Sequence, residues 1–314
     1  MPNILTLTMN PALDIATSTG KVMDTHKMRC GAAIYHPGGG GINVARVVRR
    51  LGGDVLALFP AGGVTGQRLQ QLLGDEDVPG QAIAIKGETR ESFSVFETSS
   101  GRDYRFVLPG PNLTEAEWRG CLAQVDEQIK QDHVRYLIVS GSMPPGVPVD
   151  FCAQLADLAH THGYRVVVDT SGAPLAAALA RGVYLVKPSL RELRDLTGHA
   201  LASESDWLAA ARQMVSSGQA EVVALSLGED GAMLVTTDRA LRAKGVAVTV
   251  ASSIGAGDSF VGGLIWSLNR GDDLVQAFRY AMAAGAAALL SAGTALCKPA
   301  DVERLHNEVE VTSL

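Results

Sequence analysis

Residues 136–169 read YLIVSGSMPPGVPVDFCAQLADLAHTHGYRVVVD, and this stretch decides the fold class. Tyr136–Ser140 and Arg165–Asp169 are short runs dominated by β-branched and bulky apolar residues, the composition of buried strands. Between them Val149–His160 repeats apolar residues at three- and four-residue spacing, the period of a helix with one buried face. Strand, helix and strand in succession predict a parallel pair with a crossover helix. The rhythm continues in both directions. Strands are expected at Ile4–Thr8, Val55–Phe59, Val183–Val186 and Val222–Ser226, and helices at Ile42–Leu51 and Trp207–Ser216. The fold class is α/β, a mostly parallel sheet between two helical layers. Four strands end in Ser140, Asp169, Lys187 and Ser226, and ligands in such sheets bind beyond the carboxyl ends of the strands.

One region breaks the rhythm. Glu91–Glu97 and Asp103–Leu108 flank the turn Thr98-Ser99-Ser100-Gly101 without a helix, which predicts a hairpin. Met28–His36 is also extended in character. These pieces predict a small antiparallel sheet, built from about 14–36 and 88–108 and inserted in a single domain spanning 1–314.

Composition excludes several classes. The 314 residues carry 27 basic and 33 acidic side chains, a net charge of −6, and no basic stripe longer than Arg49-Arg50, so no nucleic-acid partner is expected. No apolar run approaches the roughly 18 residues of a membrane span; Ala281–Ala292 comes nearest. Met1-Pro2-Asn3 leads straight into Ile4 without a basic leader, so a cytoplasmic protein is expected. Cys30, Cys121, Cys152 and Cys297 form no CxxC pair, and no HExxH occurs, which argues against a disulfide framework or a zinc site.

Two glycine-rich turns carry the chemistry. Gly38-Gly39-Gly40-Gly41 runs into the helix beginning at Ile42, where a ligand can approach the backbone and free N–H groups closely. Asn43 stands where a dinucleotide fingerprint needs glycine, and the only near match to a P-loop, Gly20-Lys21, is followed by Val22. A flexible connector is the plain alternative. Asn43 weighs against it, because its amide can bind a ligand hydroxyl. The second turn, Ser252-Ser253-Ile254-Gly255-Ala256-Gly257-Asp258, precedes a helix over Ser259–Leu268. Taken alone it reads equally as an anion nest with a general base or as an ordinary helix start.

Gly38–Arg46 (GGGGINVAR) and Ser253–Gly262 (SIGAGDSFVG) resemble the two signatures of the ribokinase-like, or PfkB, carbohydrate kinases. Thr8–Asp14, Ser140–Gly146, Leu185–Pro188 and Ser226–Gly228 fall in the family's order, so the resemblance covers nearly the whole chain. It runs most closely to the family's 6-phosphofructokinase branch; the 1-phosphofructokinases carry Lys where this chain has Gly39. The resemblance implies a three-layer sandwich with a β-sheet lid that pairs two copies into a homodimer. It also implies ATP-dependent phosphorylation of fructose 6-phosphate to the 1,6-bisphosphate. Tagatose-6-phosphate kinase, 1-phosphofructokinase and a non-catalytic sugar-phosphate sensor are the alternatives.

The same resemblance implies roles residue by residue. Asp258 is the base, and Gly255, Ala256 and Gly257 form the anion hole. Asp14, Gly38, Gly39 and Asn43 bind the sugar, Ser142 contacts the sugar phosphate, and Lys27, Arg90 and Arg105 take the phosphate already present. For a single Arg on a small sheet, a surface ion pair is the commoner role. On the nucleotide side stand Lys187, Ser189, Ser226, Gly228, Gly231 and Ser253, with Met282 and Ala286 at the adenine. Glu192 organises water on Mg2+. The family's Asn-x-x-Glu here reads Ser189-Leu190-Arg191-Glu192. A K+ site is implied around Ser252, Ile254, Ala288, Ser291 and Gly293, beside Ala295, where close relatives carry Arg.

Overall fold

The computed structural model describes residues 2–131 and 133–314. Its centre is the predicted alternation. Strands β1 (Ile4–Leu7), β4 (Val55–Ala61), β5 (Gly80–Ala84), β8 (Tyr136–Ser140), β9 (Arg165–Asp169), β10 (Val183–Val186) and β11 (Ala220–Ser226) run parallel in the order β5-β4-β1-β8-β9-β10-β11. Antiparallel β12 (Ala232–Val235), β13 (Ala240–Ala243) and β14 (Val311–Ser313) extend the sheet to ten strands. Every residue of β1 and β8 is buried, because both faces of the sheet are covered.

Two apolar clusters lie on the two faces. One joins α1 (Gly40–Arg50), α8 (Ala256–Arg270), α9 (Leu274–Leu289) and α10 (Pro299–His306) to the sheet through Ile42, Val261 and Phe278. The other joins α3 (Glu115–Gln131), α4 (Phe151–His162), α5 (Gly172–Leu179) and α7 (Glu204–Ser216) through Trp118, Phe151 and Met214. Helix α4 starts and ends two residues later than the apolar spacing suggests. Gly163, at φ 76°, stops it in the left-handed conformation. Helix α2 (Gly63–Asp75) follows β4, and α6 (Leu190–Thr197) follows β10. No helix among the described residues is long and apolar enough to cross a membrane.

The second sheet has the order β3-β2-β6-β7, with β2 (Ala12–Thr19), β3 (Ile34–Gly38), β6 (Arg90–Glu97) and β7 (Arg102–Val107). Its outer pairs are antiparallel, as expected for the hairpin, while the central pair β2–β6 is parallel. Met28–Ala33 is not strand; only Ile34–Gly38 pairs regularly. The register puts Asp14, Ser92, Ser94 and Arg105 on one face and Tyr35, Ile15, Phe93 and Phe106 in a row across the other.

Candidate active site

The two glycine-rich turns meet in space. Helix α8 opens on Gly255 at φ 78°, a left-handed conformation that a Cβ disfavours. Its first intrahelical bond is from Ser259 N–H to the Gly255 carbonyl, 2.9 Å. The N–H groups of Ala256, Gly257 and Asp258 therefore precede the helical ladder, at the positive end of the dipole, with no side-chain cap on them. Half-buried Asp258 lies in this turn, and its Oδ2 accepts from Asn43 Nδ2 at 2.8 Å across 215 residues of sequence. Burial, and then the neighbouring Asp169 carboxylate, push the Asp258 carboxyl up to about 6, against the opposing pull of Asn43, Lys187 and Arg105.

Asn43 owes its position to the start of α1. Its N–H bonds the Gly39 carbonyl at 2.8 Å, and the Ile42 N–H donates to Thr8 Oγ1 at 2.7 Å, just beyond β1. Buried Asp14, on β2, lies against Gly38, where an added Cβ would come within 2.2 Å of Asp14 Oδ2. Burial raises the Asp14 carboxyl, and the charge of Arg105 is the largest opposing influence. Ser142 Oγ accepts from Asn10 Nδ2 at 3.1 Å.

The three cations expected at the substrate phosphate are placed unequally. Arg90 donates Nε and Nη2 to the Asn10 carbonyl, at 3.2 and 2.9 Å, and Nη1 to the Leu108 carbonyl at 3.0 Å. Arg105 is exposed and makes no hydrogen bond or ion pair among the described residues, while its charge acts on Asp14, Arg90 and Asp258. Lys27 is exposed in the irregular stretch between β2 and β3, and no bond among the described residues ties it to the other two.

On the other side of Asp258, buried Lys187 follows β10 and pairs with Asp169 Oδ1 at 3.0 Å; Ser140 Oγ holds Asp169 Oδ2 at 3.2 Å. Burial opposes the Lys187 charge, but Asp169, Glu192 and Asp258 together outweigh it and raise the pKa. An added Cβ at Gly257 would sit 3.6 Å from Lys187 Nζ, so the ammonium borders the anion nest. Ser226 Oγ donates to the Pro188 carbonyl at 3.4 Å, and Gly228 and Gly231 bracket the single 3-10 turn after β11. Ser253 is exposed just before α8. Met282 and Ala286 are buried in α9; Gly285 between them would place a Cβ 3.4 Å from the Ala256 carbonyl, so this face of α9 borders the start of α8.

Ser189 caps α6. Its N–H and Oγ both donate to Glu192 Oε2, at 2.7 and 2.9 Å, and its Oγ accepts from Glu192 N–H at 3.2 Å. Among the described residues no group of three or more His, Cys, Asp or Glu is placed to hold a metal. Magnesium in kinases needs none, since it keeps its waters and leans on phosphates and one or two carboxylates. Glu192 fits that role, because the cap engages Oε2 and Oε1 accepts no hydrogen bond among the described residues. The residues expected around K+ supply oxygens: Ser252 Oγ, which accepts from Ile254 N–H at 3.3 Å, and the end of α9, where Ser291 N–H bonds the Ala288 carbonyl at 3.1 Å. Gly293 follows there with φ 57°.

Sequence reasoning missed Asp169, Asn10 and the pair Arg46–Glu76 as parts of this site. Asp169 was visible as a polar strand end, and Arg46 lies three residues beyond Asn43 on the same helix face. Asn10 lies within the Thr8–Asp14 segment, where no role was assigned to it, and nothing local marks Glu76.

A profile of the pfkB family carbohydrate kinases matches residues 8–301. The chain belongs to this family. Among its relatives is the ATP-dependent 6-phosphofructokinase isozyme 2 of Mycobacterium tuberculosis, 48% identical over 96% of this chain and 88% of that protein. Phosphofructokinase-2 of Escherichia coli, solved in complex with potassium, superposes with a TM-score of 0.92 at 42% identity, covering 98% of this chain and 99% of that one. Its complex with fructose 6-phosphate gives 0.91 at 41% identity, over 98% and 99% of the two chains. A 1-phosphofructokinase of Xanthomonas campestris is more distant, 33% identical over 84% of this chain and 83% of that protein. As a family member, this chain carries both glycine-rich signatures at the two ends of the Asn43–Asp258 contact.

Proposed function

We propose that this kinase transfers the γ-phosphoryl group of ATP to the free primary hydroxyl of fructose 6-phosphate, giving the 1,6-bisphosphate. The observation that carries this reading is the Asn43–Asp258 bond, which sets a carboxylate beside unclaimed N–H groups at the start of α8. The named relatives support the choice of sugar, since the most similar of them are 6-phosphofructokinases.

Asp258 accepts the proton of the attacking hydroxyl. The hydroxyl oxygen bonds to the γ-phosphorus as the bridging bond to the β-phosphate breaks and ADP departs. Asp14 and Asn43 orient the sugar, with Gly38 and Gly39 giving it room against the backbone. The N–H groups of Ala256, Gly257 and Asp258, with Lys187 beside them, stabilise the phosphoryl oxygens. Glu192 would hold the water shell of Mg2+, which when bound would neutralise phosphate charge, and the oxygens of Ser252 and of the residues around Ala288 and Ser291 would hold K+. Arg105, whose side chain makes no hydrogen bond or ion pair among the described residues, and Arg90 receive the 6-phosphate. The apolar outer row of the lid supports a homodimer, and substrates of this class accord with a cytoplasmic location.

Coupled ADP release over a panel of sugars tests the proposal. Fructose 6-phosphate should be the best substrate, with tagatose 6-phosphate next and ribose and unphosphorylated fructose poor. Efficient turnover of ribose or a nucleoside would overturn it.

A further inference from the structure

Arg46 is wholly buried, three residues after Asn43 on α1. Its Nε and Nη2 grip the two oxygens of Glu76, just past α2, at 3.0 and 2.7 Å. Its Nη1 donates to the carbonyls of Pro37 on β3 and Thr294 in the loop after α9, both at 3.0 Å, and to Asn43 Oδ1 at 3.3 Å. Arg50, one turn on, shares Glu76 at 2.8 Å and reaches the carbonyls of Ala295 and Cys297, the latter at 3.3 Å. One buried cation thus ties the lid root, the loop after α9 and the amide of Asn43 together.

A guanidinium has five donors and no acceptor. The Asn43 atom facing it must therefore be oxygen, and the atom left to face Asp258 must be the NH2 group. Asn43 contacts both Asp258 and Arg46, and the three groups form one line of donors and acceptors. Turning the Asn43 amide over would set an oxygen against the Asp258 carboxylate and an NH2 against the Arg46 cation, two repulsive contacts in place of two attractive ones.

We infer that Arg46 is a positioning residue for catalysis: by holding Asn43 Oδ1 it locks the amide so that Asn43 Nδ2 donates to Asp258 Oδ2, leaving Asp258 Oδ1 to take the proton of the attacking hydroxyl. The inference rests on the reading of Asp258 as the base. Its consequence is electrostatic. Asp258 faces Asp169 on β9, Lys187 after β10, Arg105 on the lid and Asn43 on α1. Asn43 is the neighbour whose donation depends on Arg46. Arg46 itself faces Glu76, Arg50, Asp14 and His36, and the two carboxylates offset the two guanidinium charges.

The test uses Arg46→Lys, which keeps the charge opposite Glu76; a single ammonium lacks the planar fork that reaches Glu76 and Asn43 at once. The acid limb of the kcat/KM profile for fructose 6-phosphate should move up by about one pH unit, the size expected for losing a hydrogen bond to the ionised base. Asn43→Ala should move it by a similar amount, and the double variant no further than either single one. A folded Arg46→Lys enzyme with an unmoved acid limb, or additive shifts in the double variant, would overturn the inference. If the Lys variant does not fold, the wild-type enzyme still decides. The side-chain amide resonances of Asn43, identified by their loss in Asn43→Ala, should track the titration of Asp258 and cease to do so in Asp258→Asn. An Asn43 amide indifferent to that titration also overturns it. Asp258→Asn separates the two claims. Near wild-type turnover there removes the base itself, whereas a dead Asp258→Asn with an unmoved Arg46→Lys limb removes only the role of Arg46.

Discussion

Asp258 works under a conflict that can be measured in two ways. In the proposed role of base it must be ionised, and its carboxyl is pushed up to about 6 because burial, and then Asp169, penalise the charge. Catalysis therefore requires pH above that value, and kcat/KM should fall with a limb near 6 as pH drops. Asp258→Asn should lower kcat by roughly 10²–10⁴, the usual loss for a general base, while the KM for the sugar changes only a few-fold. Stability should move the other way. The folded value lies above the ordinary carboxylate value of 3.8, so both states are protonated below about pH 4 and the folded state pays for ionisation above 6. Asp258→Asn should then be more stable than the parent by roughly 1–3 kcal/mol at pH 8, converging with it near pH 4. Chemical denaturation at the two pH values checks this, and an Asn variant less stable at pH 8 would contradict it. The turn was legible in the sequence because glycines precede a helix, but alone it read equally as a plain helix start, and only the family resemblance gave Asp258 its role. Its environment was not legible, since Asn43, Asp169 and Lys187 reach it from three separate parts of the chain.

Among the elements, α6 and the lid strands show what a pattern reveals and what it hides. The reading of Ser189 as a substitute for an amide at the metal overlooked its local task, a reciprocal cap on the helix that carries Glu192. Ser189→Ala should cost roughly 0.5–2 kcal/mol of stability and release Glu192, raising the Mg2+ concentration for half-maximal rate. Ser189→Asn, another good cap, should leave stability within about 0.5 kcal/mol. An Ala variant with unchanged Mg2+ dependence would detach Glu192 from the metal. Strands β8 and β9 were legible to the residue, because burial on both faces demands unbroken apolar runs. Strand β2 (ALDIATST) was not, since its weakly apolar residues pair in parallel with β6, a partner more than 70 residues away. The lid also decides which substrate-binding cation gives the cleaner test. Arg90 is bonded to the Asn10 and Leu108 carbonyls, so Arg90→Ala disturbs the lid root as well as any phosphate contact. Arg105 has no such bonds. Arg105→Ala should raise KM for fructose 6-phosphate about ten- to a hundred-fold, the worth of one charge-assisted bond, with little change in KM for ATP or in melting temperature. An unchanged KM would move the phosphate elsewhere.

At the scale of the whole molecule, the lid has two unlike faces. The alternation of its strands sends Asp14 and Arg105 to one side and lines up Tyr35, Ile15, Phe93 and Phe106 on the other. Phe93 and Phe106 touch, with ring centroids 6.2 Å apart, yet Phe106 remains 56% exposed and Tyr35 43%. Leu108, 52% exposed, follows directly after β7. An exposed apolar row of this extent across a four-stranded sheet is a surface that water disfavours and a second copy can cover. Symmetric closure is the economical solution, because each lid then buries the same row of its partner. Sedimentation at micromolar concentration should therefore report about twice the 32.9 kDa chain mass. Phe106→Asp places a charge in that apolar row, at its most exposed aromatic, and should yield monomer. Residue 106 lies on the face opposite Arg105 and Asp14, so the variant does not remove a substrate contact; any loss of affinity for fructose 6-phosphate in the monomer would come from a lid no longer braced by its partner. A wild-type enzyme that sediments as a monomer with full activity would show that the apolar row serves another purpose. A Phe106→Asp dimer would place the contact on a different surface.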